Sequence, residues 1–380
     1  MSRVRAVELL LAELPLVRPF RTSFGEVAEK RCVLVRVETD DAEGWGECVA
    51  DDRPDFSGEF NEGVWLVLRE FLAPALFRAG DVDVMSVEAS FAGVRGNPMA
   101  KAALLDAFVD AELRSDGASL ASWLGADRGR VECGVSVGIT PSTEALVEQV
   151  DGYLADGYRR IKLKIQPGTD IDRVRAVRAV HPDILLSVDA NAAYTPADAE
   201  VFRSMEDLGL LMIEQPLHHE DLLRHAELQT QLRTDLCLDE SIRSAADAAA
   251  ALDLGSCRIV NIKQGRVGGV LEARRVHDLC RERGIPVWCG GMLETGVGRA
   301  LNLALAAMPG FILPGDTSAS ARYFEEDITA PFELADDGTM AVPSEPGIGV
   351  TPLPDRLDTC VVRRELLRPP TKSDKTLGPA

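Results

Sequence analysis

RRIKLKI at residues 159–165 and ILLSVDA at residues 184–190 are short apolar runs separated by a helical stretch. The same alternation extends to both sides through six further runs: VECGVSV at 131–137, LLMIE at 210–214, LCLDE at 236–240, CRIVNIK at 257–263, IPVWC at 285–289 and GFILPG at 310–315. Several helical stretches open on a capping residue or an N1 proline, at Thr140-Pro141, Thr195-Pro196, Ser244 and Thr295. Eight strands alternating with helices predict a parallel sheet, and eight strands close a barrel. The predicted fold class is therefore α/β, with a (β/α)7β-type TIM barrel over residues 131–320.

The chain before this barrel has a different pattern. Residues 1–50 alternate apolar and polar side chains, as in CVLVRVET at 32–39, which is typical of antiparallel strands. From Glu62 to about Ser122 the apolar spacing becomes helical, as at Ala102, Leu105, Phe108, Val109 and Leu113. We therefore predict an α+β domain over residues 1–130. The segment 321–380 is predicted to return to that domain, apart from a frayed end at 369–380.

Charge and cysteine usage exclude several classes of protein. With 61 acidic and 41 basic residues, the 380-residue chain has a formal net charge of −20, which argues against nucleic acid or an anionic membrane as a partner. The N-terminal segment is too short and too charged for a secretory signal, and no apolar run reaches the roughly 18 residues of a membrane span. Eight scattered cysteines without a Cys-x-x-Cys pair indicate a reducing compartment. We expect a cytoplasmic enzyme.

Charged residues close five consecutive runs at a nearly constant interval. Lys164, Asp189, Glu214 and Asp239 follow one another every 25 residues, and Lys263 follows 24 residues later. The C-terminal strand ends of a barrel open on its active-site face, so these five side chains should converge there. A charged residue can also end a strand simply because the chain emerges into solvent. That explanation fits any one of the five but not all five at one repeat length.

The three acidic residues predict a metal site. Asp189, Glu214 and Asp239 come from adjacent strands, where three carboxylates without a cation would repel one another and raise their pKa values. A hard divalent cation with oxygen ligands relieves this repulsion; Mg²⁺ fits best, and Mn²⁺ or another divalent ion can substitute. Histidine ligands are absent from the pattern, which argues against zinc. Glu240 should point away from the metal and act as an outer partner of the ligands or as the salt-bridge partner of a lysine.

The lysines predict acid–base chemistry. Lys162 and Lys164 are two residues apart in a strand and share its inner face, and neighbouring ammonium groups should depress each other's pKa, which makes Lys164 a workable base. Lys263 lies on the sixth strand and hence on the opposite wall. A substrate carboxylate on the metal would sit between the two walls, and the metal would stabilise the enediolate. This arrangement suits racemisation with two lysines and equally suits elimination on one face.

Further residues are candidates for supporting roles. Ser136 and Asn191 should point into the barrel as polar contacts, with a purely structural role equally open. Arg266 follows Lys263 in the loop after the sixth strand; it is either a surface residue or a fixed charge that lowers the pKa of Lys263. The five histidines, which lie in helices or loops, are not expected to be catalytic: His181, His218, His219, His225 and His277.

At this point the motifs resemble the muconate lactonizing enzyme subgroup of the enolase superfamily. They are Lys162-x-Lys164, Asp189-x-Asn191, Glu214-Gln215-Pro216, Asp239-Glu240 and Lys263. Within the subgroup, GGMLETGVGRA at 290–300 and PGDTSASARYF at 314–324 resemble the o-succinylbenzoate synthase / N-succinylamino acid racemase family. The resemblance implies a capping domain before the barrel and Mg²⁺ on the three carboxylates. It also implies that Lys164 and Lys263 are the acid–base pair, and that the pocket is lined by Gly291, Met292, Glu294 and Phe20 of the loop 20–24.

Two departures from relatives narrow the expected activity. The run IPVWC lacks the histidine of mandelate-racemase-like members, and Asp316 is followed by Thr317 and Ser318 rather than completing the Asp-x-Asp pair of dipeptide epimerases. The resemblance therefore implies o-succinylbenzoate synthesis, racemisation of an N-succinylamino acid, or both. A muconate-type cycloisomerase and a dipeptide epimerase remain alternatives, whereas the intact motifs argue against a non-catalytic relative. The expected partners are a small carboxylate, either an N-succinylamino acid or the cyclohexadiene carboxylate precursor of o-succinylbenzoate, and further copies of the chain in a homo-oligomer.

Overall fold

The first part of the chain forms an antiparallel sheet covered by helices in the computed structural model, which describes residues 1–168 and 170–370. The predicted frayed end therefore lies outside the described residues from position 371 onward. Its first four strands are β1 Ser2–Arg21, β2 Glu26–Thr39, β3 Glu43–Cys48 and β4 Asp81–Val82, and the fifth is β14 Val361–Leu367. The sheet has the order β14-β1-β2-β3, with β4 paired to the start of β1. The helices are α1 Asn61–Val67, a π-helical turn Leu68–Leu72, α2 Ala73–Ala79, α3 Val84–Ser90, α4 Pro98–Asp116 and α5 Leu120–Leu124.

Two glycines allow α4 to pack directly on β3. A Cβ at Gly44 would lie 2.2 Å from the backbone nitrogen of Ala111, and a Cβ at Gly46 would lie 2.1 Å from the carbonyl oxygen of Ala103. Any side chain at these two positions would therefore push the helix away from the sheet. This close contact fixes the end of β3, which carries the buried Glu47.

The second part of the chain alternates strands and helices, as the sequence predicts. Its first elements are β5 Arg130–Glu132, β6 Gly134–Val137, α6 Thr143–Ala155, β7 Arg160–Lys164, α7 Asp170–Val180, β8 Leu185–Asp189, α8 Ala199–Arg203, β9 Ile213–Glu214, α9 Leu222–Gln229, β10 Leu236–Leu238 and α10 Ala245–Leu254. They are followed by β11 Ile259–Ile262, α11 Gln264–Val267, α12 Val270–Glu282, β12 Val287–Cys289 and α13 Gly296–Ala306. Short 3-10 turns lie at Pro196–Asp198, Glu206–Leu208 and Ser320–Arg322.

Seven of the strands form one parallel sheet in the order β12-β11-β10-β9-β8-β7-β6. The predicted eighth strand at 310–315 is reduced to two isolated bridges, one from Phe311 to Val287 of β12 and one from Gly315 to Cys133 beside β6. Pro314 has no backbone N–H to donate, which limits ladder formation in this run. The segment still joins the two outer strands of the sheet. The prediction of a (β/α)7β barrel is therefore confirmed, with an eighth strand shorter than expected.

Two further details differ from the sequence prediction. The run 131–137 does not form one strand, because β5 pairs with β13 (Thr339–Ala341) and only β6 belongs to the barrel. The helix predicted to open at Thr140-Pro141 begins at Thr143, and Ser142 caps it by accepting a hydrogen bond from the N–H of Ala145. The predicted caps at the other three positions are present, at Thr195, Ser244 and Thr295.

The segment 354–367 returns to the first sheet. Helix α14 (Pro354–Cys360) leads into β14 (Val361–Leu367), which pairs antiparallel with β1 from Val7 opposite Leu367 to Ala12 opposite Val361. The predicted capping domain thus contains strands from both ends of the chain, whereas domain boundaries at residues 130 and 320 stay predictions. All eight cysteines are free and buried. Of the helices in the described ranges, none is long and apolar enough to cross a membrane.

Candidate active site

Strand register brings the predicted carboxylates and lysines together. Lys164 of β7 lies opposite Asp189 of β8, and Asp189 lies opposite Glu214 of β9. Asp239 and Lys263 directly follow β10 and β11, the next two strands of the sheet. All three carboxylates are at most 1% exposed. Because parallel strands end at one rim of a barrel, these five side chains share one enclosed site, whose opening faces the capping domain.

The two outer lysines of this site are each held by a different carboxylate. Lys164 Nζ lies 2.7 Å from Asp189 Oδ2 and 2.6 Å from Asn191 Oδ1. Lys263 Nζ lies 2.7 Å from Asp239 Oδ2. Burial is the largest single effect and lowers the pKa of Lys263, but the acidic neighbours, Asp239 first among them, together outweigh it, and the net pKa is raised. The structure therefore has one lysine amine at each end of the row of carboxylates.

Lys162 lies below this row and is the most strongly paired of the lysines. Its Nζ is 3.1 Å from Asp189 Oδ2, 3.0 Å from Glu214 Oε2 and 2.7 Å from Asp316 Oδ2. Burial lowers its pKa, yet the three carboxylates raise it well above the ordinary value. The expectation that neighbouring lysines depress each other's pKa is thus wrong for Lys162, because carboxylates dominate its surroundings. Lys162 is a fixed cation here.

A buried layer beneath Lys162 was missed by the sequence analysis. Arg160 is fully buried and donates to Asp316 Oδ1 at 2.6 Å and to the carbonyl of Pro314 at 2.8 Å. The Arg160 guanidinium and the Lys162 ammonium lie 4.6 and 4.8 Å from the centre of the Trp288 ring. The spacing Arg160-x-Lys162-x-Lys164 could have revealed this layer, since alternate residues of a strand face the same side. Arg160, Asp316 and Trp288 thus support the lysine pair from inside the barrel.

Asn191 and Glu240 connect to the site as a pair. Asn191 accepts from Lys164 and donates through Nδ2 to Glu240 Oε1 at 2.9 Å. Burial, Asp239 and Asp189 raise the pKa of Glu240 to about 7. Glu240 therefore reaches Lys164 through Asn191 rather than by its own salt bridge. A second amide, Asn261, also missed by the sequence analysis, donates to Glu214 Oε1 at 2.8 Å.

Arg266 is neither a surface residue nor part of a loop. It lies in the one-turn helix α11 and is 2% exposed. Its guanidinium contacts Asp239 Oδ1 and donates to the carbonyls of Ile242 at 2.8 Å and Asn261 at 2.7 Å. Asp239 is thus shared between Arg266 on one oxygen and Lys263 on the other. The positive charge of Arg266 lowers the pKa of Lys263, as the sequence analysis expects, although Asp239 has the larger opposite effect.

The predicted pocket residues occupy different positions around the rim. Met292 contacts the site directly, with its Sδ 3.4 Å from Lys263 Nζ. Ser136, opposite Lys162 in the register, has a buried hydroxyl with no hydrogen-bond partner. Glu294 Oε1 accepts a hydrogen bond from Asn302 Nδ2 of α13 at 2.8 Å. A side chain at Gly291 would place its Cβ 3.4 Å from Glu294 Oε2, so Gly291 lies beside this carboxylate. The Phe20 ring lies under the guanidinium of Arg322, which donates to the carbonyl of Ser136.

The capping domain adds one residue that the sequence analysis missed. The centre of the Phe56 ring lies 4.9 Å from Lys263 Nζ. The Phe24 ring packs against Phe56, with 6.4 Å between the two ring centres. An aromatic ring at this distance from an ammonium attracts it. The loop 49–60 that carries Phe56 has no strand period or charge repeat, so no signal in the sequence pointed to it.

Comparison with known proteins assigns the family. Residues 6–125 match the family described as Mandelate racemase / muconate lactonizing enzyme, N-terminal domain, and residues 145–356 match the family described as Enolase C-terminal domain-like. The chain belongs to the enolase superfamily. An N-succinylamino acid racemase of Amycolatopsis sp is 54% identical to it, over 94% of this chain and 97% of the relative. An o-succinylbenzoate synthase of Geobacillus kaustophilus is 51% identical, over 89% of this chain and 90% of the relative.

The fold agrees with a solved member of the superfamily. A crystal structure of an enolase superfamily member from Listeria innocua Clip11262 superposes with a TM-score of 0.93 at 40% sequence identity. The match covers 97% of this chain and 100% of that one. The arrangement of a capping domain over a parallel barrel is therefore that of the superfamily.

The donor set of this enolase superfamily member fits a hard divalent cation. Across residues 1–168 and 170–370, no three or more histidine, cysteine, aspartate or glutamate side chains are grouped as a ready metal cage. Each of the three carboxylates is turned instead to a lysine or arginine. Even so, burial and the carboxylates of Asp189 and Asp239 raise the pKa of Glu214, because the three acidic groups lie close enough to repel one another. Oxygen donors on three adjacent strands are the ligands that Mg²⁺ prefers.

Proposed function

We propose that this chain removes the proton next to the carboxylate of a small substrate, as an N-succinylamino acid racemase and o-succinylbenzoate synthase. One observation carries the proposal: Lys164 and Lys263 stand at opposite ends of the row formed by Asp189, Glu214 and Asp239. A substrate carboxylate bound at that row would have one amine on each face of its α-carbon. The two close relatives carry these two activities in their names.

The residues of the site would divide the work as follows. Asp189, Glu214 and Asp239 would hold a divalent cation, which supplies positive charge next to the substrate carboxylate as the α-proton leaves. Lys164 or Lys263 takes the proton from the α-carbon, depending on the enantiomer. In racemisation the other lysine then delivers a proton to the opposite face. In dehydration only one face reacts, and the second lysine contributes its charge alone.

Asp316 favours an acylated substrate over a free amine. Its two oxygens are already bound by Arg160 at 2.6 Å and by Lys162 at 2.7 Å. Burial alone would raise the pKa of Asp316, but these two cations lower it to about 2. The charge of the Asp316 carboxylate is therefore neutralised by cations inside the barrel, and neither oxygen is left to bind a substrate ammonium. This argues against a dipeptide epimerase.

The test is to assay both reactions on the purified protein with Mg²⁺. We expect racemisation of N-succinylamino acids, measured by polarimetry, and o-succinylbenzoate formation, measured by ultraviolet absorbance. The matched control substrate is the same amino acid with a free amino group, which should react far more slowly. No α-proton exchange into D₂O with any N-acylamino acid, together with no o-succinylbenzoate formation, would refute the proposed function.

Arg266→Gln should distinguish the two reactions. Without the guanidinium, Asp239 interacts with Lys263 alone, so the pKa of Lys263 should rise and a smaller fraction of the lysine should be in the free-amine form that can accept a proton. Racemisation needs Lys263 as a base for one enantiomer, whereas dehydration with Lys164 as base needs it only as a cation. We therefore expect kcat/KM to fall by about tenfold more for racemisation than for dehydration, as one pKa unit would give.

The two kcat/KM values should be measured on the same preparation of the Arg266→Gln variant. Arg243→Gln is a matched control, because Arg243 is exposed and pairs only weakly with Asp247 at 3.8 Å. Equal losses in both reactions, or none in either, would leave Arg266 as a purely structural partner of Asp239.

Finer statements belong to the same proposal. A cytoplasmic location is expected from charge and cysteine usage, and a homo-oligomer is expected as well. Mg²⁺ as the metal is expected from the donor set and from the resemblance of the motifs to the family, and a role in menaquinone biosynthesis is expected from that resemblance. The oxygen-only donor set supports the choice of Mg²⁺ over zinc.

A further inference from the structure

The capping domain places a buried ammonium group behind the active-site rim. Lys30 of β2 is 1% exposed, and its Nζ lies 3.1 Å from the carbonyl oxygen of Met292 and 3.4 Å from Asp51 Oδ1. Burial lowers the pKa of Lys30, but Asp51 and other acidic neighbours raise it to about 12. A lysine is rarely buried unless its charge is paired. Lys30 is therefore a fixed cation whose backbone partner belongs to the barrel.

The segment that Lys30 holds is a strained turn. Leu293 has φ of +58°, a left-handed conformation that is unfavourable for a residue with a side chain. Such a turn persists only when its surroundings hold it in place. Lys30 binds the carbonyl immediately before Leu293. The turn is therefore stabilised from the capping domain.

A second capping-domain residue holds the other end of the segment. Glu47 of β3 accepts hydrogen bonds from the N–H of Thr295 at 3.1 Å, from its hydroxyl at 2.6 Å and from the N–H of Gly298 at 2.9 Å. Lys30 and Glu47 thus fix both ends of residues 292–298 from neighbouring strands of one sheet. The segment cannot shift without breaking one of these contacts.

The held segment touches only one of the two catalytic lysines proposed above. Met292 Sδ lies 3.4 Å from Lys263 Nζ. Lys164 is held differently, by Asp189 and Asn191 within the barrel. A shift of the Met292 turn would therefore disturb the Lys263 face of the substrate and leave the Lys164 face in place.

We propose that Lys30 is a positioning residue: it holds the turn at Met292 and Leu293 against the amine of Lys263 and so sets the rate of proton transfer on the Lys263 face of the substrate. The inference rests on the proposed function, because it takes Lys263 to be one of two acid–base lysines. Lys30 itself touches no reacting atom; it acts through the carbonyl and side chain of Met292.

The test compares the two faces within one enzyme. α-Proton exchange into D₂O is followed by NMR for each enantiomer of an N-succinylamino acid, and Lys164→Ala and Lys263→Ala show which enantiomer reports on which lysine. Lys30→Met should slow exchange on the Lys263 face by about 10- to 100-fold, the effect of a misplaced group. Exchange on the Lys164 face should stay near the wild-type rate.

A second variant separates the hydrogen bond from the charge. Lys30→Gln removes the charge as Lys30→Met does and has a similar size, but it keeps an N–H donor for the Met292 carbonyl. We expect Lys30→Gln to retain more of the Lys263-face exchange than Lys30→Met. Arg36→Met is the control, because Arg36 lies on the same strand and pairs with Glu8 and Glu43 away from the site. It should alter neither face.

The outcomes are distinguishable from failure of the proposed function. If the wild-type enzyme exchanges neither enantiomer, the proposed function is wrong. If it exchanges both and a folded Lys30→Met variant slows the two faces equally, or neither, the positioning role is wrong. Should thermal melts show that the Lys30 variants do not fold, Met292→Leu tests the contact through which Lys30 would act, that of the turn with Lys263: a loss confined to the Lys263 face supports the role, and an equal loss on both faces, or no loss, overturns it.

Discussion

Replacing Lys164 or Lys263 by alanine should each abolish racemisation, with kcat falling on the order of 10²–10⁴-fold, the usual contribution of a general acid or base. The reason is geometric: the two amines lie at opposite ends of the carboxylate row, on Asp189 and Asp239. One amine cannot reach both faces of the α-carbon. Each single variant should still exchange the α-proton of one enantiomer with D₂O, and the two variants should favour opposite enantiomers.

The measurement is the exchange rate of each pure enantiomer by NMR, together with the rate of optical inversion. Lys101→Ala is a matched control, because Lys101 lies in α4 and its amine contacts the carbonyl of Val94 outside the site. The control should behave as wild type. Near wild-type racemisation in both the Lys164→Ala and Lys263→Ala variants would show that the two-base assignment is wrong.

The barrel was predictable because its signal is repeated. Each short apolar run and each helix cap is weak evidence, but runs recurring about every 25 residues fit one architecture. The prediction failed where the repeat itself is degraded. The run at 310–315 contains Pro314 and two glycines, and forms two bridges instead of a strand. The run at 131–137 splits into two strands, because β5 pairs antiparallel with β13. This partner lies about 200 residues away in the sequence, and no local sequence pattern predicts the pairing.

The charged residues of the site were predictable for a related reason. Parallel strands end at one rim, so residues at equal positions in successive runs must come close. What the sequence analysis could not supply was the pairing among them. The spacing of Lys162 and Lys164 predicts mutually repelling cations, whereas Lys162 is surrounded by Asp189, Glu214 and Asp316. Pairing across the barrel interior depends on where opposite strands place their side chains.

Contacts from the capping domain were the least predictable part. Lys30 meets Met292 across 262 residues, and Glu47 meets Thr295 across 248 residues. In strands that alternate apolar and polar residues, Lys30 and Glu47 look like any other polar position, so the sequence does not mark them as contacts between the domains. Their roles come from the docking of two domains, which is set by the sum of many packing contacts. The same holds for Phe56, whose ring reaches Lys263 from an irregular loop.

Removing divalent metal should abolish turnover, and Glu214→Gln should do the same, with a loss on the order of 10³-fold or more. The three carboxylates are almost fully buried, and burial together with neighbouring carboxylates raises the pKa of Glu214. Three carboxylates this close to one another offer the oxygen ligands that a hard divalent cation prefers. Glu214→Gln keeps the shape of the side chain but removes the central charge of the row. Activity is measured after dialysis against a chelator and again after addition of Mg²⁺.

Binding itself gives an independent measurement. A cation that binds only the folded protein stabilises it, by about 2.7 kcal/mol at 100 times its dissociation constant. Mg²⁺ should therefore raise the melting temperature of the chelated wild type and have little effect on Glu214→Gln. Glu227→Gln is the control, because Glu227 is exposed and pairs with Arg224 on α9. Full turnover after exhaustive chelation, or wild-type turnover in Glu214→Ala, would show that these carboxylates hold no catalytic metal.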